Sequence, residues 1–199
     1  MTSKKTGKIM LDTKNKLKEC LKREKKYYIT GKKRHDQLVE WLVNDPSVRI
    51  WKYQKALRYT EYYFCQKGIK RLPYLWYRSK RNRLGLKIGF EMVEGVFEPG
   101  LVIYHSGNIV VNGFARVGED CQLHGDNCIG NNGTTLEAPR VGNRVDIGVG
   151  AKIIGNVEIA DDIKIGAGAV VTKSFLTPGV TLVGIPARIL KKGESQIGE

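Results

Sequence analysis

His35, His105 and His124 are the only histidines in this sequence. Imidazole is the side chain suited to taking a proton from a hydroxyl as that hydroxyl attacks a carbonyl at neutral pH. His35 sits in the run KKRHD and reads as a solvated residue. His105, in GLVIYHSGNIVV, counts back six residues from Val111 onto a position that is otherwise aliphatic, so it is either a satisfied polar residue in an imperfect first turn or a general base. A carboxylate near the second ring nitrogen of such a base would fix its tautomer and stabilise the imidazolium. Glu91, Glu94 and Glu98 lie 14, 11 and 7 residues upstream, and the spacing favours Glu91. His124 follows Leu123 and is expected to point outward, as a surface residue or as part of a substrate groove.

The elements that would hold these side chains follow from an internal repeat. Val111, Val117, Leu123 and Ile129, then Val141, Ile147, Ile153, Ile159, Ile165 and Val171, are spaced by six or by twice six. Gly118, Gly130, Gly142, Gly148 and Gly166 directly follow members of the series, and Ala115, Cys121, Val145, Ala151, Val157 and Ala169 stand four residues after a member. Helices repeat at 3.6 and half-buried strands at 2, so neither explains a period of six. A parallel coil does: three short strands make a triangular turn of about 18 residues, with turns about 4.8 Å apart and one aliphatic per hexad pointing inward. The turn-rich stretch 131–139 reads as a loop extruded from a corner, and LTPGVTLVGIPARILKK as a cap on the last turn. The closing GESQIGE is expected to fray.

Residues 1–90 hold 25 Lys and Arg against 7 Asp and Glu, whereas residues 91–199 hold 9 against 13. The sequence therefore divides into a basic region over 1–89, read as α-helical, and a coil over 90–199. Asp45 is a candidate N-cap before Pro46, and residues 1–30 read as a loosely ordered basic helix. Basic charge with aromatics suits an anionic glycan, a pyrophosphate-linked lipid carrier or a membrane surface, and no nucleic-acid reading motif is present. Cys20, Cys65, Cys121 and Cys128 lack CxxC spacing, so reduced thiols without a metal are expected. With no long apolar run and no signal-peptide core, a cytoplasmic protein is expected, in contact with the inner face of a membrane if the basic region serves there.

The run PRVGNRVDIGVGAKIIGNVEIADDIKIGAGAVVTKS, followed by VGIPARIL, resembles the C-terminal half of bacterial serine O-acetyltransferases and their relatives in surface-polysaccharide gene clusters. GLVIYHSGNIVV resembles the segment carrying their catalytic histidine, and the resemblance covers about residues 95–190. It implies a mainly β fold, a left-handed parallel β-helix of hexapeptide repeats preceded by a small helical region. It also implies acetyl-CoA as acetyl donor, lying between subunits of a homotrimer or of a pair of trimers. By position it makes His105 the base, with Gly148, Ala151, Gly166, Ala169 and Lys173 along the cofactor groove and Pro186, Ala187 and Arg188 at its nucleotide end.

Three departures shape the expected acceptor. Tyr104 stands where serine acetyltransferases place an aspartate, and Glu137 and Ala138 stand where they place an Arg-His pair. A site lacking the cation for serine's carboxylate forgoes a charge-assisted bond of roughly 1.5–3 kcal/mol. The sequence thus favours acetylation of a sugar hydroxyl in a surface polysaccharide, with Tyr104, His124 and Glu137 contacting a carbohydrate acceptor. Serine O-acetylation and a non-enzymatic scaffold are the alternatives.

Overall fold

The computed structural model describes residues 11–29 and 33–190. The expectations for the first ten residues and for GESQIGE fall outside them.

Four helices precede the coil: α1 (Lys14–Ile29), α2 (Arg34–Leu42), α3 (Pro46–Phe64) and α4 (Pro73–Ile88), with a 3-10 turn at Gly68–Arg71 between the last two. The Asp45 carboxylate accepts from the backbone N–H of Ser47 at 2.9 Å, capping α3 with Pro46 in its first turn. α4 stops at Gly89, whose φ of 79° is a left-handed conformation that glycine adopts without strain.

From Phe90 onward the chain winds through three parallel faces. One stacks Phe90–Glu91, Ile109–Val111, Cys128–Gly130, Lys152–Ile154 and Val170–Val171. The second stacks Arg116–Val117, Arg140–Val141 and Glu158–Ile159, extended by bridges to Phe97 and Phe175. The third stacks Val102–Ile103, Gln122–Leu123, Asp146–Ile147, Lys164–Ile165 and Thr181–Val183, and Arg188–Ile189 folds back antiparallel to close the end. Every aliphatic of the period-six series is buried, at 5% exposure or less. Burial of each is worth roughly 1.5–3 kcal/mol, so the inward column holds the prism together.

The loop at 131–139 leaves the corner between the first and second faces. Val117 pairs with Val141, twenty-four residues on, against eighteen for Val111 and Ile129. The insertion is one hexad long, which is why the six-residue count runs through it undisturbed.

The first turn has no rung above it to satisfy its backbone, and side chains from the helices take that place. Arg58 of α3 donates to the carbonyls of Phe97 (2.8 Å) and Glu98 (2.9 Å). Glu24 of α1 and Glu61 of α3 accept from the N–H groups of Gly100 (3.1 Å) and Gly95 (3.0 Å). Gln54 donates to the carbonyl of Leu101 at 2.7 Å, and the Tyr28 hydroxyl accepts from the N–H of Ile103 at 2.9 Å. Arg58 and Glu24 are buried and paired at 2.7 Å, with Glu61 on the other side of the guanidinium. All four cysteines are free thiols; burial pushes those of Cys20 and Cys121 up to about 12, which suits packing rather than reactivity.

Candidate active site

His105 lies at the corner between the third and first faces, and its side chain is exposed. Counting back by sixes from Val111 placed it inward, and the structure corrects that. Ile103 pairs with Leu123, twenty residues on, so the corner that carries His105 contains two residues more than the regular turn. Ile103, 1% exposed, takes the inward position, and both Ile109 and Val111 are buried after the bulge. The extra residues swing His105 out of the core. On the next rung its neighbour is Gly125, where an added Cβ would sit 3.3 Å from the Cβ of His105. Glycine there leaves open space beneath the imidazole, and its φ of 108° suits no other residue.

No carboxylate among the described residues hydrogen-bonds His105. Glu91, expected to orient it, lies on the first face opposite Val110 and lines a depression with Arg78 and Arg81. Fourteen residues fall short of a full turn, so Glu91 stacks on Val110, five positions past His105. Glu94 is engaged by Tyr74, whose hydroxyl donates at 2.6 Å, and by Arg81. Burial opposes its charge, but the Tyr74 hydroxyl, a backbone hydrogen bond and Arg81 together outweigh burial and leave its carboxyl below the usual range. Glu98 sits under Arg58, which donates to its main-chain carbonyl.

His124, unlike His105, has a carboxylate within hydrogen-bond distance. Its Nε2 lies 2.7 Å from Asp146 Oδ1. The Tyr104 ring stacks on it with centroids 4.5 Å apart and planes 25° from parallel, and the Tyr104 hydroxyl donates to Gln122 Oε1 at 2.9 Å. The coil creates this arrangement: Tyr104 and His124 each follow an inward residue on adjacent rungs, and Gln122 and Asp146 each precede one. Tyr104 is therefore beside both histidines, next to His105 in the chain and above His124 in the stack. Sequence reading missed Asp146 because the pair is 22 residues apart; its signal was the outward slot before Ile147, one rung below Gln122.

The expected cofactor residues divide into two sets. Lys173, Pro186, Ala187 and Arg188 come together around a depression of about 610 Å³ at the end of the coil. Ala151 and Ala169, at 0 and 1% exposure, fill corners of the core and cannot line an outer groove; this corrects their assignment. Gly148 follows His124 down the outer column, and Gly166 follows Gly148. A Cβ on Gly148 would lie 2.7 Å from the N of Ala167 and the O of Ile165, so the coil's own packing demands glycine there. Glu137 accepts from Asn156 at 2.8 Å on the extruded loop, at a different corner from His105, so one subunit does not bring the two together.

A prism of stacked hexads with an exposed histidine at an irregular corner defines the class: the hexapeptide-repeat acyltransferase fold. No protein-family model matches the chain. In sequence it is 31% identical over 148 residues to the serine acetyltransferase of Helicobacter pylori 26695, covering 73% of this chain and 80% of that protein. It is 33% identical over 152 residues to the serine acetyltransferase of Mycobacterium tuberculosis, covering 68% of this chain and 65% of that protein. The chain spans 60% of the Buchnera aphidicola enzyme from Schizaphis graminum, so several of these relatives are much longer. Among solved structures, a serine acetyltransferase in complex with CoA superposes with a TM-score of 0.66 at 24% identity, covering 89% of this chain and 71% of that one. The Neisseria gonorrhoeae serine acetyltransferase in complex with serine superposes at 0.65 and 21%, covering 89% and 70%. The chain belongs to the serine acetyltransferase family.

The matches overturn the expectation of a sugar acceptor in surface-polysaccharide synthesis, and with it the carbohydrate partner. That expectation rested on Tyr104, Glu137 and Ala138. Losing one cation alters how tightly an acceptor is held, and it does not identify a different acceptor.

Proposed function

We propose that this chain transfers an acetyl group from acetyl-CoA to the hydroxyl of L-serine, with His105 as general base. The observation that carries the proposal is its similarity to the H. pylori serine acetyltransferase over 80% of that protein's length. His105 takes the serine hydroxyl proton as the oxygen attacks the thioester carbonyl, then returns it to the departing thiolate, so one imidazole serves both halves of the transfer. Gly125 leaves the space in which hydroxyl and thioester meet. Lys173 and Arg188, at the rim of the terminal depression, are placed to meet phosphates, with Pro186 and Ala187 forming its wall. Assembly as a trimer belongs to the proposal, since a second copy is what would bring an extruded loop with its Glu137 to the corner of His105.

The Tyr104, His124 and Asp146 cluster forms the acceptor side of this site. Asp146 fixes the His124 ring, which presents its other nitrogen to the polar groups of the amino acid. Asp146→Asn is expected to raise KM for serine about 10-fold, the scale of a lost charge-assisted hydrogen bond, while KM for acetyl-CoA changes less than about 2-fold. Initial rates with each substrate varied in turn decide this, and an unchanged KM for serine removes the cluster from the acceptor site.

Thiol release from acetyl-CoA, followed with L-serine, nucleotide sugars and capsular oligosaccharides as acceptors, tests the reaction itself. Release dependent on L-serine is the expected result. Release with a sugar and none with serine would refute the proposal.

A further inference from the structure

α4 lacks the usual division into an apolar inner face and a polar outer one. Its inner face buries Tyr74, Arg81, Gly85 and Ile88. Its outer face carries Leu75, Trp76 and Leu86, with Ile69 and Leu72 just ahead of the helix, and each of these five is between 54 and 86% exposed. Lys70 from the 3-10 turn and Lys80, Arg83 and Lys87 from the helix share this surface, and Arg71 and Arg78 flank it over the Tyr74 ring. Residues 67–88 contain no aspartate or glutamate, and among the described residues none of these six cations forms an ion pair. Lys80 lies over the Trp76 ring at 4.9 Å, so cation and indole stand together at the surface.

Two unfavourable features coincide here, apolar side chains in water and crowded like charge, and the partner must relieve both. A second copy meeting this face with the same face would set like charge against like charge. A nucleic acid would neutralise the charge and leave Leu72, Leu75 and Trp76 in water. An anionic bilayer satisfies both, because lipid phosphates take the cations while leucine and tryptophan enter the boundary between headgroups and acyl chains. No described helix is long and apolar enough to cross a membrane, so the contact is peripheral.

We propose that the outer surface of the 3-10 turn and α4 docks this protein onto an anionic lipid bilayer, with α4 lying in the interface. The docking stands apart from the transferase reading and holds whatever the acceptor is. The test is sedimentation of the full chain with vesicles of phosphatidylcholine containing phosphatidylglycerol, against phosphatidylcholine alone. Binding is expected only to the anionic vesicles, weakening at least 10-fold as salt is raised from low to physiological strength and beyond. Trp76→Ser and the pair Arg83→Glu with Lys87→Glu are each expected to weaken it about 10-fold, with circular dichroism and the elution volume unchanged. Three results would overturn the proposal: no binding to either vesicle, equal binding to both, or displacement from vesicles by a duplex DNA oligonucleotide at equal charge concentration. A shift of the variants to a smaller oligomer would instead assign the face to a contact between copies, and would overturn it as well.

Discussion

Replacing His105 with alanine lowers kcat by about 100-fold or more, the scale expected when a general base is lost, and leaves the coil folded. The imidazole is exposed at a bulged corner, packs into no core and hydrogen-bonds nothing among the described residues, so removing it leaves no buried group unsatisfied. Thiol release gives kcat, and far-ultraviolet circular dichroism with the melting temperature reports the fold. His124→Ala is the necessary companion. It is the imidazole held by a carboxylate, at 2.7 Å from Asp146, and on geometry alone it is the rival base. With His105 as base, loss of His124 appears mainly in KM for serine. If His105→Ala keeps near-normal turnover and His124→Ala loses it, the roles are reversed, and the base is the one the coil itself orients.

Replacing Glu24 with alanine costs about 3–5 kcal/mol of stability, the scale of removing one carboxylate from a buried ion-pair cluster. Glu24 is fully buried against Arg58, which also serves the carbonyls at the open top of the coil, and Glu24 itself accepts from the N–H of Gly100. The variant leaves the buried guanidinium with Glu61 as its one remaining carboxylate and strands the Gly100 backbone donor. Glu24→Gln keeps an acceptor for Gly100 and removes only the charge, so it is expected to lose less. Urea unfolding of both variants measures the difference, and a loss below about 1 kcal/mol for the alanine variant would show that the helices do not hold the first turn. Because the Tyr28 hydroxyl binds the N–H of Ile103, two residues before His105, loosening this cap should also reach the candidate base.

Much of the coil was legible because its inward column repeats at a spacing that only one kind of winding explains. Val111 to Val171 stand in the core, and even the inserted loop preserved the count by being one hexad long. The corner of His105 broke the same count. Two extra residues there turned an inward position outward. Glu91 failed because fourteen residues fall short of a full turn, while Ala151 and Ala169 failed because small residues at corners look alike whether they face a ligand or the core.

The sequence by itself determined the period, the inward column, the extruded loop and the change from a basic helical region to a coil, since each depends on neighbours along the chain or on regular repetition. Only the tertiary structure decided that Asp146 orients His124 under Tyr104, and that Arg58, Glu24 and Glu61 close the first turn. Tyr104 and His124 meet across 20 residues of chain, and Glu24 reaches the Gly100 N–H across 76. Such contacts depend on which rung lies above which and on how helices seat on an open edge, and no local preference of the residues encodes that.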